Sequence, residues 1–136
     1  MADLMQILYP LPDARRTPVS LLRWWESRRW FYNKVVGVTG TITLAGLFVL
    51  APDRSQVLEQ PGWLLGVLAY GVLANGFYTG GWLVEMAARW LWGREAPAMG
   101  PLLYRQGLIF SVGLTLFPLV IGILLTVAKV ILSVIQ

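Results

Sequence analysis

The chain has 136 residues, 57% of them hydrophobic and 13% charged, with a net charge of +4 and a mean hydropathy of +0.63. A soluble domain of this length carries about 25% charged residues, so the composition points to an all-α integral membrane protein. Cysteine and histidine are absent, which excludes disulfides and thiolate metal sites and removes the commonest general base and the usual ligand to haem or pigment.

The opening MADLMQILYPLPDARR has no positive region ahead of its short apolar run, and Pro10 and Pro12 end that run. It is expected to belong to the mature protein rather than to a secretory signal. No myristoylation or prenylation pattern is present. Thr17-Pro18 predicts a helix start, with Thr as N-cap and Pro at the first helical position, where its missing N–H is not needed. Residues 18–29 then form a short amphipathic helix in the cytoplasmic interface. Val19, Leu21, Leu22 and Trp25 lie on one side, Arg23, Glu26 and Ser27 on the other, and Trp24, Trp25 and Trp30 serve as anchors at headgroup level. A docking surface for a partner or lipid is the alternative reading of these tryptophans.

Three segments are long enough for the roughly 20 apolar residues that a crossing helix needs. The first covers about 32–51 and is stopped by Pro52. The second covers 62–84, opens after Pro61 and can continue to Trp92-Gly93. The third, set at 107–129, lies within the apolar stretch 102–135. That stretch could reach about 50 Å against a hydrocarbon core of roughly 30 Å, so tilt, protrusion or a bend at Pro118 is expected. Residues 1–29 thus form an N-terminal segment and 30–136 a three-span membrane domain.

The basic residues set the orientation. Arg15, Arg16, Arg23, Arg28, Arg29, Lys34, Arg89, Arg94 and Arg105 fall on one side, whereas Arg54 and Lys129 fall on the other. The positive-inside rule places the N-terminus in the cytoplasm and the C-terminus outside it. Basic residues so placed are topology signals, and no nucleic-acid partner is expected.

At 100° per residue the second span sorts into two opposed stripes. Gly62, Gly66, Ala69, Gly76, Gly80 and Ala87 share a narrow sector, including two GxxxG pairs. Helices in lipid associate by close backbone packing, which small residues permit, so this face is expected to meet another helix, with lipid exposure as the alternative. Gly71, Asn75, Tyr78, Trp82, Glu85 and Arg89 lie about half a turn away. An amide in a span should face protein or trapped water rather than lipid. Glu85 is placed for an ion pair with Arg89, and Arg28 or Arg29 reaches a similar depth. This stripe is a set of clasps fixing helix register, a proton or ion path through Glu85, Tyr78 and Asn75, or a site for a lipid headgroup, quinone or pigment. Both faces of the second span therefore call for a neighbour, either within this chain or from another subunit.

The third span repeats the pattern with Gly107, Ser111, Thr115, Pro118, Gly122, Thr126 and Lys129 within one arc. They describe a kinked packing helix or the lining of a hydrophilic pathway. Lys129 can snorkel to the outer interface, yet the apolar VILSVIQ after it calls for tilt or a covering neighbour.

Arg29-x-x-Tyr32-Asn33 and Asn75-x-x-Tyr78-x-x-Gly81-x-x-x-Glu85 together resemble small, uncharacterised bacterial membrane proteins with an R-x-x-Y-N start and a later N-x-x-Y-x-x-G-x-x-x-E helix. The resemblance implies a bacterial inner-membrane location and carries no activity with it.

No Ser/His, Cys/His, metal cluster or phosphate loop is present, and Gly37-Val-Thr-Gly40 lacks the Lys-Ser/Thr of a P-loop. The leading expectation is a non-catalytic accessory subunit packed in a larger membrane complex, of respiratory or photosynthetic type among the possibilities, without a cofactor of its own. Its partners would be the bilayer and other membrane subunits or further copies of itself. The alternatives are an oligomeric channel or transporter using the polar face of the second span, and a lipid- or quinone-binding protein.

Overall fold

A computed structural model describes residues 17–52, 55, 59, 62–93 and 99–135. The sequence before Thr17 with Arg15 and Arg16, most of the first connection with Arg54, and Arg94 in the second lie outside these residues. Three long helices dominate: α1 (Pro18–Leu50), α2 (Gly62–Trp92) and α3 (Gly100–Ile135).

The Thr17 cap forms as expected, its hydroxyl accepting from the Ser20 amide at 3.2 Å ahead of Pro18. The separate interfacial helix does not. Residues 18–50 are one unbroken helix, because the junction SRRWFYNK contains neither Gly nor Pro to stop it. The helix ends at Leu50, just before Pro52. α2 starts at Gly62 and runs to Trp92, closed by Gly93 in the left-handed region at φ 60°, a common helix ending that glycine adopts without steric cost. α3 is longer than the expected third span. It begins at Gly100, where the Leu103 amide bonds the Met99 carbonyl at 2.8 Å, and stays helical through Pro118 to Ile135.

Trp25 of α1 meets Glu85 near the end of α2 and Tyr104 near the start of α3, while Thr43 further along α1 meets Thr115 of α3. The helices therefore run up, down, up, with α1 and α3 parallel and α2 antiparallel to both. The buried core is an aromatic cluster of Trp25, Tyr32, Tyr78 and Tyr104 with Leu21 and Ala74, gathered at the end where α1 begins.

Outside that cluster most of the large apolar side chains described are exposed. α1 and α3 are each long and apolar enough to cross a membrane, and only 11% of the most apolar stretch of either is buried. A core helix of a soluble protein would bury most of such a stretch.

Candidate functional site

The polar stripe of α2 is the face that packs. Tyr78 and Glu85 are both buried, Glu85 to 1% exposure. A buried acidic side chain is costly without partners. The Glu85 carboxylate accepts from the Trp25 indole N–H at 2.8 Å. It also lies over the first turn of α3, so closely that a Cβ built on Gly100 would stand 2.5 Å from Oε2. The amide end of a helix favours negative charge, and glycine at position 100 admits the carboxylate.

Around this contact the rings interlock. Trp25 meets Tyr78 edge-on at 5.4 Å and Tyr104 at 6.2 Å, and Trp24 adds a second indole at 5.4 Å from Trp25. Such edge-to-face pairs contribute about 0.5–1.5 kcal/mol beyond area burial. The Tyr78 hydroxyl donates to the Trp25 carbonyl. Gly81 makes room for the Trp25 ring, since a Cβ there would stand 2.9 Å from Cη2.

One turn and more further along, a second polar layer joins all three helices. The Tyr32 hydroxyl bonds Ser111 Oγ at 2.8 Å and the Ala74 carbonyl at 3.1 Å. Tyr70 bonds the Ser111 carbonyl at 3.2 Å and the Thr115 hydroxyl, and Thr43 donates to the Thr115 carbonyl at 2.9 Å. These groups satisfy one another between the packed helices.

Arg29 joins this polar face from α1 and pairs with a carboxylate of its own helix. Its guanidinium forms a two-pronged contact with Glu26 at 2.7 and 2.8 Å, one turn away on the same helix. It also reaches the Asn75 amide oxygen and the Thr79 hydroxyl, each at 3.4 Å, and lies 4.9 Å from the Tyr78 ring centre. Arg28 stacks on Trp24 at 3.9 Å, and Lys34 sits 5.0 Å from the Trp30 ring. Among the described residues no cluster of three acidic, His or Cys side chains forms that could hold a metal.

No family model, curated protein or solved structure matches this chain.

Of the expected polar contacts, Arg29, Tyr32, Asn75, Tyr78 and Glu85 come together between the helices. Trp82 is half-buried against the same cluster, and Arg89 and Asn33 are half-buried as well. The expected interfacial anchors divide. Trp30 is exposed, Trp24 is half-buried, and Trp25, at 2% exposure, is the centre of the core rather than an anchor. Its burial follows from its partner Glu85, which no local pattern in α1 announces.

The small stripe of α2 meets no helix of this chain among the described residues. Gly62, Gly66, Ala69, Gly76 and Ala87 are exposed and Gly80 is half-buried. A Cβ added at Gly62, Gly66, Gly76 or Gly80 would meet nothing within 4 Å. The reason is geometric. Tyr78 and Glu85 turn inward, and the small stripe lies half a turn away. It forms two shallow recesses, at Gly62–Ala69 and Gly76–Gly80, divided by exposed Leu73 in the same sector and bordered by exposed Leu65, Val72 and Leu83.

Tyr70, Tyr104, Thr43 and Gly100 are functional parts of the packing that the sequence reading did not single out. Tyr70 and Tyr104 interrupt apolar runs with a hydroxyl, which was their one available signal.

Proposed function

We propose that this chain is a non-catalytic subunit of a larger membrane complex, held to a neighbour by the small-residue face of α2. The observation that carries this reading is the open space above Gly62, Gly66, Gly76 and Gly80, where an added Cβ would meet nothing within 4 Å among the described residues. In lipid, close backbone approach is what holds helices together, and this is the face of α2 best shaped for it.

Two further observations support the reading. α1 and α3 run parallel, so if both cross the bilayer the chain must return between them, and α2 is the antiparallel helix placed to do so. Residues 62–84 contain no charged side chain, and their hydropathy is diluted by Gly, Tyr and Asn rather than by charge. This supports three spans with a cytoplasmic N-terminus, in keeping with a bacterial inner membrane. In addition, Leu47 and Leu50 at the end of α1 reach Gly122 of α3. α3 then continues from Ile123 to Ile135, about 20 Å further, and every one of those residues is exposed. An apolar extension of this length calls for tilt or a covering neighbour.

The transport alternative finds less support. Tyr78 and Glu85 are closed in by Trp25 and Gly100, and their hydrogen bonds hold helices together.

A photoreactive amino acid at position 76, irradiated in native membranes, tests the reading. The expected result is one discrete protein adduct, absent when the same probe replaces Val38 on the exposed side of α1. Adducts with lipid alone would overturn it.

A further inference from the structure

The two halves of α2 are held very differently. From Ala74 onward the helix buries Ala74, Tyr78, Glu85 and Ala88 against its neighbours. From Gly62 to Leu73 every residue is exposed except Tyr70, which is half-buried. At the same level α1 and α3 interlock without α2. Thr43 donates to the Thr115 carbonyl at 2.9 Å, and a Cβ on Gly122 would stand 3.2 Å from Leu47 and 3.4 Å from Leu50. The first half of α2 is thus an arm beside a closed pair of helices. A groove of about 290 Å³ lies between them, with Trp63, Gly66 and Val67 on the arm and Gly40, Leu47 and Pro118 opposite.

Tyr70 holds the arm in place. Its hydroxyl lies 3.2 Å from the Ser111 carbonyl and also meets the Thr115 hydroxyl. Thr115 donates its own proton to the Ser111 carbonyl at 2.6 Å, which leaves its oxygen to accept from Tyr70. Among the described residues, Tyr70 is the one member of the stretch 62–73 that is hydrogen-bonded to another helix. Interhelical bonds of this kind are weak in membranes, and a segment with few buried contacts opens at low cost.

The base of the arm is suited to bending. Gly71 is exposed and lies one turn before the packed Ala74 and Asn75, and glycine is a poor helix former. The Asn75 side-chain amide donates to the Gly71 carbonyl at 3.1 Å. A side-chain donor on the carbonyl four residues back offers the backbone an alternative partner and favours a bend. It also keeps that carbonyl satisfied in lipid when the backbone bond lengthens.

We propose that α2 is a hinged helix, bending at Gly71–Asn75, with Tyr70 as its latch. The arm 62–70 moves between a latched position on Ser111 and Thr115 and an open one in which the groove widens. Gly62 and Gly66 ride on the arm, whereas Gly76 and Gly80 stay with the packed half, so the latch sets whether the two recesses line up for one neighbouring helix. That consequence rests on the subunit contact proposed above. The bend itself does not, and it is read on the isolated chain.

The chain has no cysteine, so paired nitroxide labels can be placed on the purified full-length protein in phosphatidylcholine nanodiscs. Val49→Cys with Leu65→Cys spans the frame and the arm, and Leu83→Cys with Leu102→Cys spans the packed half; all four positions are exposed. Pulsed electron–electron resonance should show two distance populations for the first pair and one for the second. Tyr70→Phe, and separately Thr115→Val from the α3 side, should raise the ratio of the longer to the shorter population about fivefold, as expected for one or two average interhelical bonds. Gly71→Ala with Asn75→Ala, added to Tyr70→Phe, should suppress the longer population, since a Cβ at position 71 meets nothing within 4 Å and alanine stiffens the helix. A single Val49–Leu65 distance unmoved by both latch variants would overturn the proposal. Equal broadening of the Leu83–Leu102 pair would also overturn it, because the whole bundle would then be loosening. A longer population that survives the two alanines would place the bend elsewhere and overturn the hinge.

Discussion

The Trp25 indole and the Glu85 carboxylate, 60 positions apart, share a buried hydrogen bond of 2.8 Å. The bond satisfies the indole N–H and one carboxylate oxygen at once, so the pair should show coupling in a double-mutant cycle. Trp25→Phe or Glu85→Leu alone removes one side of this bond, and each should cost about 1–3 kcal/mol in addition to packing losses. The double variant should cost less than the two singles added together, by about 0.5–3 kcal/mol of coupling. Reversible unfolding of the purified chain in mixed micelles checks this. Strict additivity would show that the bond contributes nothing to the fold.

Neighbouring glycines on α2 should respond in opposite ways. Gly81→Ala places a methyl against the Trp25 ring, where 2.9 Å is available, and should destabilise the isolated chain by about 1–3 kcal/mol. Gly80→Ala points into open space and should change stability by less than about 0.5 kcal/mol. Gly100→Ala should resemble Gly81→Ala, because the added methyl meets the buried Glu85 carboxylate. Thermal unfolding in one detergent ranks the three, and equal effects at positions 80 and 81 would place the packing face elsewhere.

Tyr32 bonds both Ala74 and Ser111, tying α1 to α2 and α3 at one level. Tyr32→Phe keeps the ring and removes both bonds. Interhelical hydrogen bonds in membranes average about 0.6 kcal/mol each, so the expected loss is about 1 kcal/mol. Ser111→Ala introduced afterwards should then add little, which the same unfolding assay reads directly.

Much of the fold was legible in the sequence because its signals are local. The Thr17 cap and Pro18, the stop before Pro52, the start at Gly62 and the ending at Gly93 all follow from one or two residues each. The stripe of Asn75, Tyr78 and Glu85 was legible as a packing face from its periodicity. The partner of that stripe was not, because a helical repeat says which residues share a face and not what lies opposite. Trp25 therefore read as an interfacial anchor, and Arg29 as a group at the depth of Glu85, with no sign that the nearer Glu26 takes it. The small stripe leaves its neighbour open for a related reason. It marks a surface fit for close packing, but three helices leave only one inward side of α2, and the larger tyrosine and glutamate side chains occupy it. The missing break near residue 30 shows that amphipathic and apolar stretches join into one helix when no Gly or Pro divides them.

The absence of cysteine makes topology simple to measure, since a single introduced thiol is the only one present. Ser20→Cys should be modified by an impermeant maleimide only after the cytoplasmic side is opened. Ser133→Cys, at the exposed end of α3, should be modified in intact cells. Both thiols reacting from the same side would mean an even number of crossings and would exclude the return of the chain through α2.

The claim that the small-residue face of α2 is a subunit interface is tested most directly by native mass spectrometry of the chain extracted in mild detergent. The account predicts an assembly of fixed stoichiometry well above the 15.2 kDa of the single chain. The same assembly should be lost in Gly76→Leu/Gly80→Leu, while the helix content and melting temperature of the separated chain stay unchanged. A monodisperse species at 15.2 kDa from the unaltered protein, or an assembly that survives the double leucine variant, would contradict it.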